Sequence, residues 1–119
     1  MPNSFQGHLA ELFEPLGSVV FRKMFGGLGI FRDGLMFALV AEDVLYLKVD
    51  EATRGAYAAE GCGPFVYAGL RGKATPMPYW RIPERLLEEP DEFVQWARGA
   101  FAVALRTRKP KAGGKTRKA

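Results

Sequence analysis

Three glycines, Gly26, Gly27 and Gly29, fall within four positions of the apolar stretch RKMFGGLGIF, Arg22 to Phe31. Glycines at this density can cradle a phosphate, because bare backbone lets N–H groups converge on an anion. A Walker loop, however, places Lys and Ser or Thr directly after its last glycine and opens a helix there. A dinucleotide fingerprint needs G-x-G-x-x-G at a strand-to-helix turn. Here Ile30 and Phe31 follow, which is a strand signal. The stretch therefore reads as a bulge or bend, with glycine making room for a closely packed neighbour.

Other reactive side chains are sparse. His8 is the single histidine and Cys62 the single cysteine. An internal disulfide and a Cys-based zinc site are thereby excluded, and no second histidine is present to share a metal. Cys62 lies in the loop-like EGCGP, far in sequence from His8, and reads as an incidental thiol, although an approach of the two in space stays open. Glu88, Glu89, Asp91 and Glu92 surround Pro90 at a helix start, where carboxylates offset the helix dipole without any catalytic purpose.

Two surface chemistries carry more. In MPYWRIP, Met77 to Pro83, Tyr79 and Trp80 stand beside Arg81. Such a cluster can stack on a base or a proline-rich peptide, or it can be a half-buried strand closing over the core. From Arg106 onward there are seven basic residues, Arg106, Arg108, Lys109, Lys111, Lys115, Arg117 and Lys118, and no acidic one. Taking these seven from the 17 Lys and Arg leaves ten against 13 Asp and Glu, so residues 1 to 105 carry a net −3. The tail can neutralise phosphates without any fold, in a salt-sensitive and sequence-blind way, or it can be a solubilising terminus.

These residues must be positioned by a single domain. At 119 residues and 48% hydrophobic content, the chain can bury a core without disulfides or metal. Ser4 caps a first helix whose face is Phe5, Leu9, Leu12, Phe13 and Leu16, and which Pro15 ends near Glu14. SVVFRKM, GLGIF, LMFALV and VLYLKV then read as four strands of an antiparallel meander. Asp33-Gly34 forms one hairpin turn, and AED, Ala41 to Asp43, the next. In the last of these strands Leu45, Leu47 and Val49 face the core. Val44, Tyr46 and Lys48 face away, on a side too apolar to be fully solvated.

DEATRGAYAAEG reads as a short helix opened by Asp50 and stopped at Gly61, and PFVYAG as a further strand. TPMPYWRIP is extended, and its prolines confine it to an edge or a surface crossing. A helical turn begins at Pro83 or Glu84. The last helix opens at Pro90 with Phe93, Trp96, Ala97, Ala100, Phe101, Ala104 and Leu105 on its apolar stripe. The fold class is α+β: a two-layer sandwich of an antiparallel sheet, five to six strands, with helices on one face. The domain spans residues 1–105, and residues 106–119 form a basic tail expected to be disordered. No signal peptide or membrane span is legible, so a cytoplasmic protein without membrane association is expected.

Taken together, R-K-M-F-G-G, then D-G-L-M-F-A-L, then L-Y-L-K, then P-Y-W-R-I-P-E, over most of residues 5 to 105, resemble the N-terminal domain of the TfoX/Sxy family. The resemblance implies a secretion-chaperone-like α+β fold and a non-enzymatic regulator with no cofactor and no catalytic residue. Its best-known members are transcriptional co-activators of competence for DNA uptake. Gly26, Gly27, Tyr79 and Trp80 match the family pattern as structure. The family's competence regulators carry a second, helical domain, whereas here a short basic tail follows, so a stand-alone N-terminal domain is expected. The expected partner is a protein, transcription machinery among the candidates, or a second copy, met through the sheet face or through Tyr46, Tyr79, Trp80 and Arg81. The alternative is nonspecific nucleic-acid binding through Arg106 to Lys118.

Overall fold

A computed structural model of the chain describes residues 4–24, 26–68 and 74–108. The first helix, α1 (Ser4–Phe13), sinks Leu9, Leu12 and Phe13 into the core. It tightens into a 3-10 turn over Glu14–Leu16 that keeps Pro15 near its start, where a missing N–H is harmless. Four strands follow as an antiparallel meander: β1 (Val19–Met24), β2 (Gly27–Arg32), β3 (Leu35–Ala41) and β4 (Val44–Lys48). Both hairpin turns expected from sequence form. Asp33 and Gly34 take left-handed φ values of 53° and 79°, and Glu42 and Asp43 take 52° and 61°. That twist matches the strands on either side.

A short helix, α2 (Arg54–Ala59), is set by Asp50, whose Oδ1 accepts the backbone N–H groups of Ala52 and Thr53. It leads into β5 (Pro64–Ala68) and β6 (Ala74–Arg81). After a 3-10 turn at Glu84–Glu88, α3 (Pro90–Thr107) closes the described chain. The six strands run in the order β1-β2-β3-β4-β6-β5, all antiparallel. The expected α+β fold is therefore present: an antiparallel sheet with its helices on one side.

Two expectations need correction. β6, with Pro76 and Pro78, is an interior strand between β4 and β5 rather than an edge. β4 pairs with β6 only over Tyr46–Lys48 against Tyr79–Arg81. The prolines lie beyond that ladder, so the N–H groups they lack are not needed on the β4 side; the Pro78 carbonyl still accepts the Val49 N–H at 3.0 Å. The second correction concerns the end of the fold. α3 runs two residues past Leu105, and Arg106 is built into it, its Nε donating to Asp50 Oδ2 at 2.8 Å.

The core lies between sheet and helices. Phe13 is its hub, in edge-to-face contact with Phe21, Phe37 and Phe93 at centroid distances of 6.2, 5.6 and 5.0 Å. Phe37 reaches it through an irregularity: Ile30 pairs with Ala38 but Phe31 pairs with Met36, leaving Phe37 as an extra residue in β3. The bulge lets Phe37 and Ala38, neighbours in sequence, both enter the core.

Candidate functional site

Alternation along the strands decides which residues face away from the helices. On β1 these are Val20, Arg22 and Met24, and on β2 Gly29 and Phe31, with Met36 and Leu39 on β3. On β4 they are Tyr46 and Lys48, on β6 Tyr79 and Arg81, and on β5 Phe65. The buried cluster that joins sheet to helices contains Ile30, Phe37, Ala38, Val40, Leu45 and Leu47, and excludes Leu39 and Tyr79. Every helix packs on that opposite side, through residues such as Leu9, Tyr57, Phe93 and Phe101. Among the described residues no helix covers the outer face.

The outer face is nonetheless apolar, and its side chains cover one another. Leu39 is fully buried with no helix above it among the described residues, while Val20, at the rim on β1, is 52% exposed. Tyr46 and Phe65 pack ring to ring at 5.0 Å. Tyr79 is buried, and its hydroxyl donates to the Met36 carbonyl at 3.4 Å; burial pushes its pKa up to about 12. Lys48 lays its ammonium over the Tyr79 ring at 5.1 Å, and Arg22 its guanidinium over Phe31 at 5.3 Å. Burial lowers the pKa of Lys48. Beside Tyr46 and Phe65, a shallow hollow of about 400 Å³ extends to Ala41, Glu42 and Val66.

The glycine cluster serves this face and its turn. Gly26 has a φ of 78° in the β1–β2 connection. A Cβ on Gly27 would overlap the Val40 carbonyl oxygen, so β2 can approach β3 there only without a side chain. A Cβ on Gly29 would meet the Met24 and Met36 thioethers and the Phe31 ring edge, which close over it instead. The glycines lead into a strand, and the neighbouring cleft mixes Lys23 with Glu42 and Asp43 rather than presenting an anion cradle.

The expected partner-binding set divides. Tyr46, Tyr79 and Arg81 are on the outer face, but Trp80 pairs with Leu47 and packs half-buried against the core. Adjacent residues of a strand point to opposite sides, so MPYWRIP cannot act as one aromatic patch. Of the basic set, Arg106 is tied to Asp50 and Arg108 is exposed just past α3. Lys109, Lys111, Lys115, Arg117 and Lys118 lie outside the described residues.

Cys62 and His8 do not form a pair. Nε2 of His8 is 2.8 Å from the Leu87 carbonyl, whereas Cys62 is buried, with Glu60 and Arg81 beside it. Burial raises the thiol pKa, the reverse of what activates a nucleophile. Of the acidic cluster, Glu89 and Glu92 bind Arg85, Glu92 through two bonds at 2.8 and 2.9 Å and Glu89 at 3.1 Å, and Arg85 also binds Glu60 at 2.6 Å. Glu92 also accepts from the Trp96 indole N–H at 3.1 Å. This network joins α2 to α3. Among the described residues no group of three His, Cys, Asp or Glu is placed to hold a metal, and no helix is long and apolar enough to cross a membrane.

Sequence reasoning named Tyr46, Lys48 and the sheet face but missed Phe31, Met24, Met36, Leu39, Phe65 and Arg22 as its other members. The signal was available. In VVFRKM the outward set is Val20, Arg22 and Met24, and the facing strand offers Gly29 and Phe31. Comparison with family models matches residues 11–104 to the TfoX N-terminal domain. Comparison with the curated proteins gives no match.

Proposed function

We propose that this chain, which belongs to the TfoX N-terminal domain family, is a non-enzymatic regulatory module that acts by binding another protein on its outer sheet face. One observation carries the reading: a continuous apolar sheet face built from Phe31, Met36, Leu39, Tyr46 and Phe65, which no helix covers among the described residues. Two-layer domains bury one side of the sheet, and the other is ordinarily polar. Here it is aromatic and methionine-rich, a composition typical of adaptable binding surfaces. A role in regulating transcription, with competence as one setting, fits such a module and the family.

The test is affinity capture from cell extract with the wild type, with Phe31→Asp/Tyr46→Asp, and with Ala102→Glu on the exposed side of α3. The reading predicts a protein retained by the wild type and by Ala102→Glu and lost with the double variant, all three chains melting within a few degrees. Equal capture by all three would contradict it.

A second reading rests on charge distribution: the seven basic residues from Arg106 onward, with no acid among them, suit nonspecific nucleic-acid binding. Since Arg106 already pairs with Asp50, this reading rests mainly on the residues that follow it.

A further inference from the structure

The paired strands align five outward residues in one row across the sheet. Arg22 pairs with Gly29, Gly29 with Leu39, Leu39 with Tyr46, and Tyr46 with Arg81. An arginine thus stands at each end of the row and an apolar floor lies between. Four strand spacings put the terminal residues about 19 Å apart. The floor at Gly29 is made by the Met24, Met36 and Phe31 side chains that close over it.

Every charged residue at an outward strand position is basic among the described residues: Arg22, Lys48 and Arg81. None of the three has a carboxylate partner among the described residues, whereas Arg85 has three and Arg106 one. Glu42, in the β3–β4 turn, lies by the hollow at Tyr46, and Asp43 and Glu84 line a second hollow with Arg81. Arg81 also reaches the Cys62 thiol, which takes no charge from it.

We infer that the outer face binds an acidic amphipathic helix of a partner protein, its apolar side on the partly exposed Phe31, Met36 and Tyr46 that surround the buried Leu39, and carboxylates near its two ends on Arg22 and Arg81. The inference rests on the reading of this face as the binding surface. Two physical arguments select the occupant. The backbone groups of the interior strands are already paired within the sheet, so the face offers only side chains. An extended segment laid over it would leave its own N–H and C=O groups unsatisfied, whereas a helix satisfies them internally. Charge decides the rest. A second copy docked face to face would bring Arg22, Lys48 and Arg81 against the same three cations, while carboxylates meet them with opposite sign. About 13 residues of helix, at 1.5 Å per residue, span the row.

The experiment is a fluorescence-anisotropy titration of the full chain with three labelled amphipathic peptides of that length. All carry the same Leu/Phe stripe, and their ends hold Glu, Ser or Lys. The Glu-ended peptide is expected to bind at least tenfold tighter than the Lys-ended one. The difference should vanish in Arg22→Gln/Arg81→Gln and reverse in Arg22→Glu/Arg81→Glu, with circular dichroism checking that both variants stay folded. Equal binding of all three peptides, blocked by Phe31→Asp/Tyr46→Asp, would overturn the acidic partner and leave the face as a docking surface. No binding of any peptide would overturn the acidic helix, the capture experiment judging the face independently. A dimer in sedimentation that Arg22→Glu/Arg81→Glu dissociates would assign the face to a second copy instead.

Discussion

At the scale of the residue, Gly27 and Gly29 illustrate how two identical residues serve different purposes. At Gly27 the obstacle to a side chain is backbone, the Val40 carbonyl across the β2–β3 ladder. At Gly29 the obstacle is the ends of Met24, Met36 and Phe31, which can rotate or slide. Gly27→Ala is therefore predicted to cost about 2–3 kcal/mol, in the upper range for overpacking, and Gly29→Ala below about 1 kcal/mol. Equilibrium urea unfolding of the two variants checks the order, and the reverse order would contradict the packing described. Gly29→Ala should also disturb the outer face, and so weaken partner capture more than it weakens stability.

The elements are joined by charge as well as by the aromatic core. Arg85 pins α2 to α3, and the Arg85 guanidinium, followed by the Trp96 indole, holds the Glu92 carboxyl down to about 2 from its ordinary 4.5. Glu60 is also lowered, again first by Arg85. A carboxyl depressed in the folded state contributes its stability above its unfolded pKa and loses it as pH falls toward the folded one. For Glu92 that window runs from about 4.5 to about 2. The urea midpoint of the wild type should fall more steeply across it than that of Glu92→Gln. Parallel pH profiles would show that the ion pair carries no stability, as exposed pairs often do not.

At this scale the sequence was largely legible, and its failures have causes. Asp33-Gly34 announced a hairpin because both residues tolerate positive φ, whereas Glu42–Asp43 had to be inferred from the strands on either side. Pro76 and Pro78 pointed to an edge, because only the neighbouring strand's length shows that their missing donors are unneeded. The outer site was the least legible part. It is assembled from six strands, and the register between them, which puts Arg22 in line with Arg81, is not written in any one of them.

For the whole molecule, the sheet divides two environments. On one side the helices bury Phe13, Phe37 and Phe93 completely, where changes act on stability. On the other, Phe31, Tyr46 and Phe65 lie on the face that no helix covers among the described residues, where changes are expected to act on binding. Arg22, Lys48 and Arg81 add a basic character that residues 1–105, with their net −3, do not have as a whole. Association through this face should accordingly weaken with salt, since Arg22 and Arg81 are exposed. The central claim, that function lies on the outer sheet face, is tested most directly by site-specific photo-cross-linking in cells, with p-benzoylphenylalanine replacing Tyr46 or, on the exposed side of α3, Ala102. The account predicts a discrete adduct from position 46 and none from position 102; adducts from position 102 alone would place the partner on the helices and contradict it.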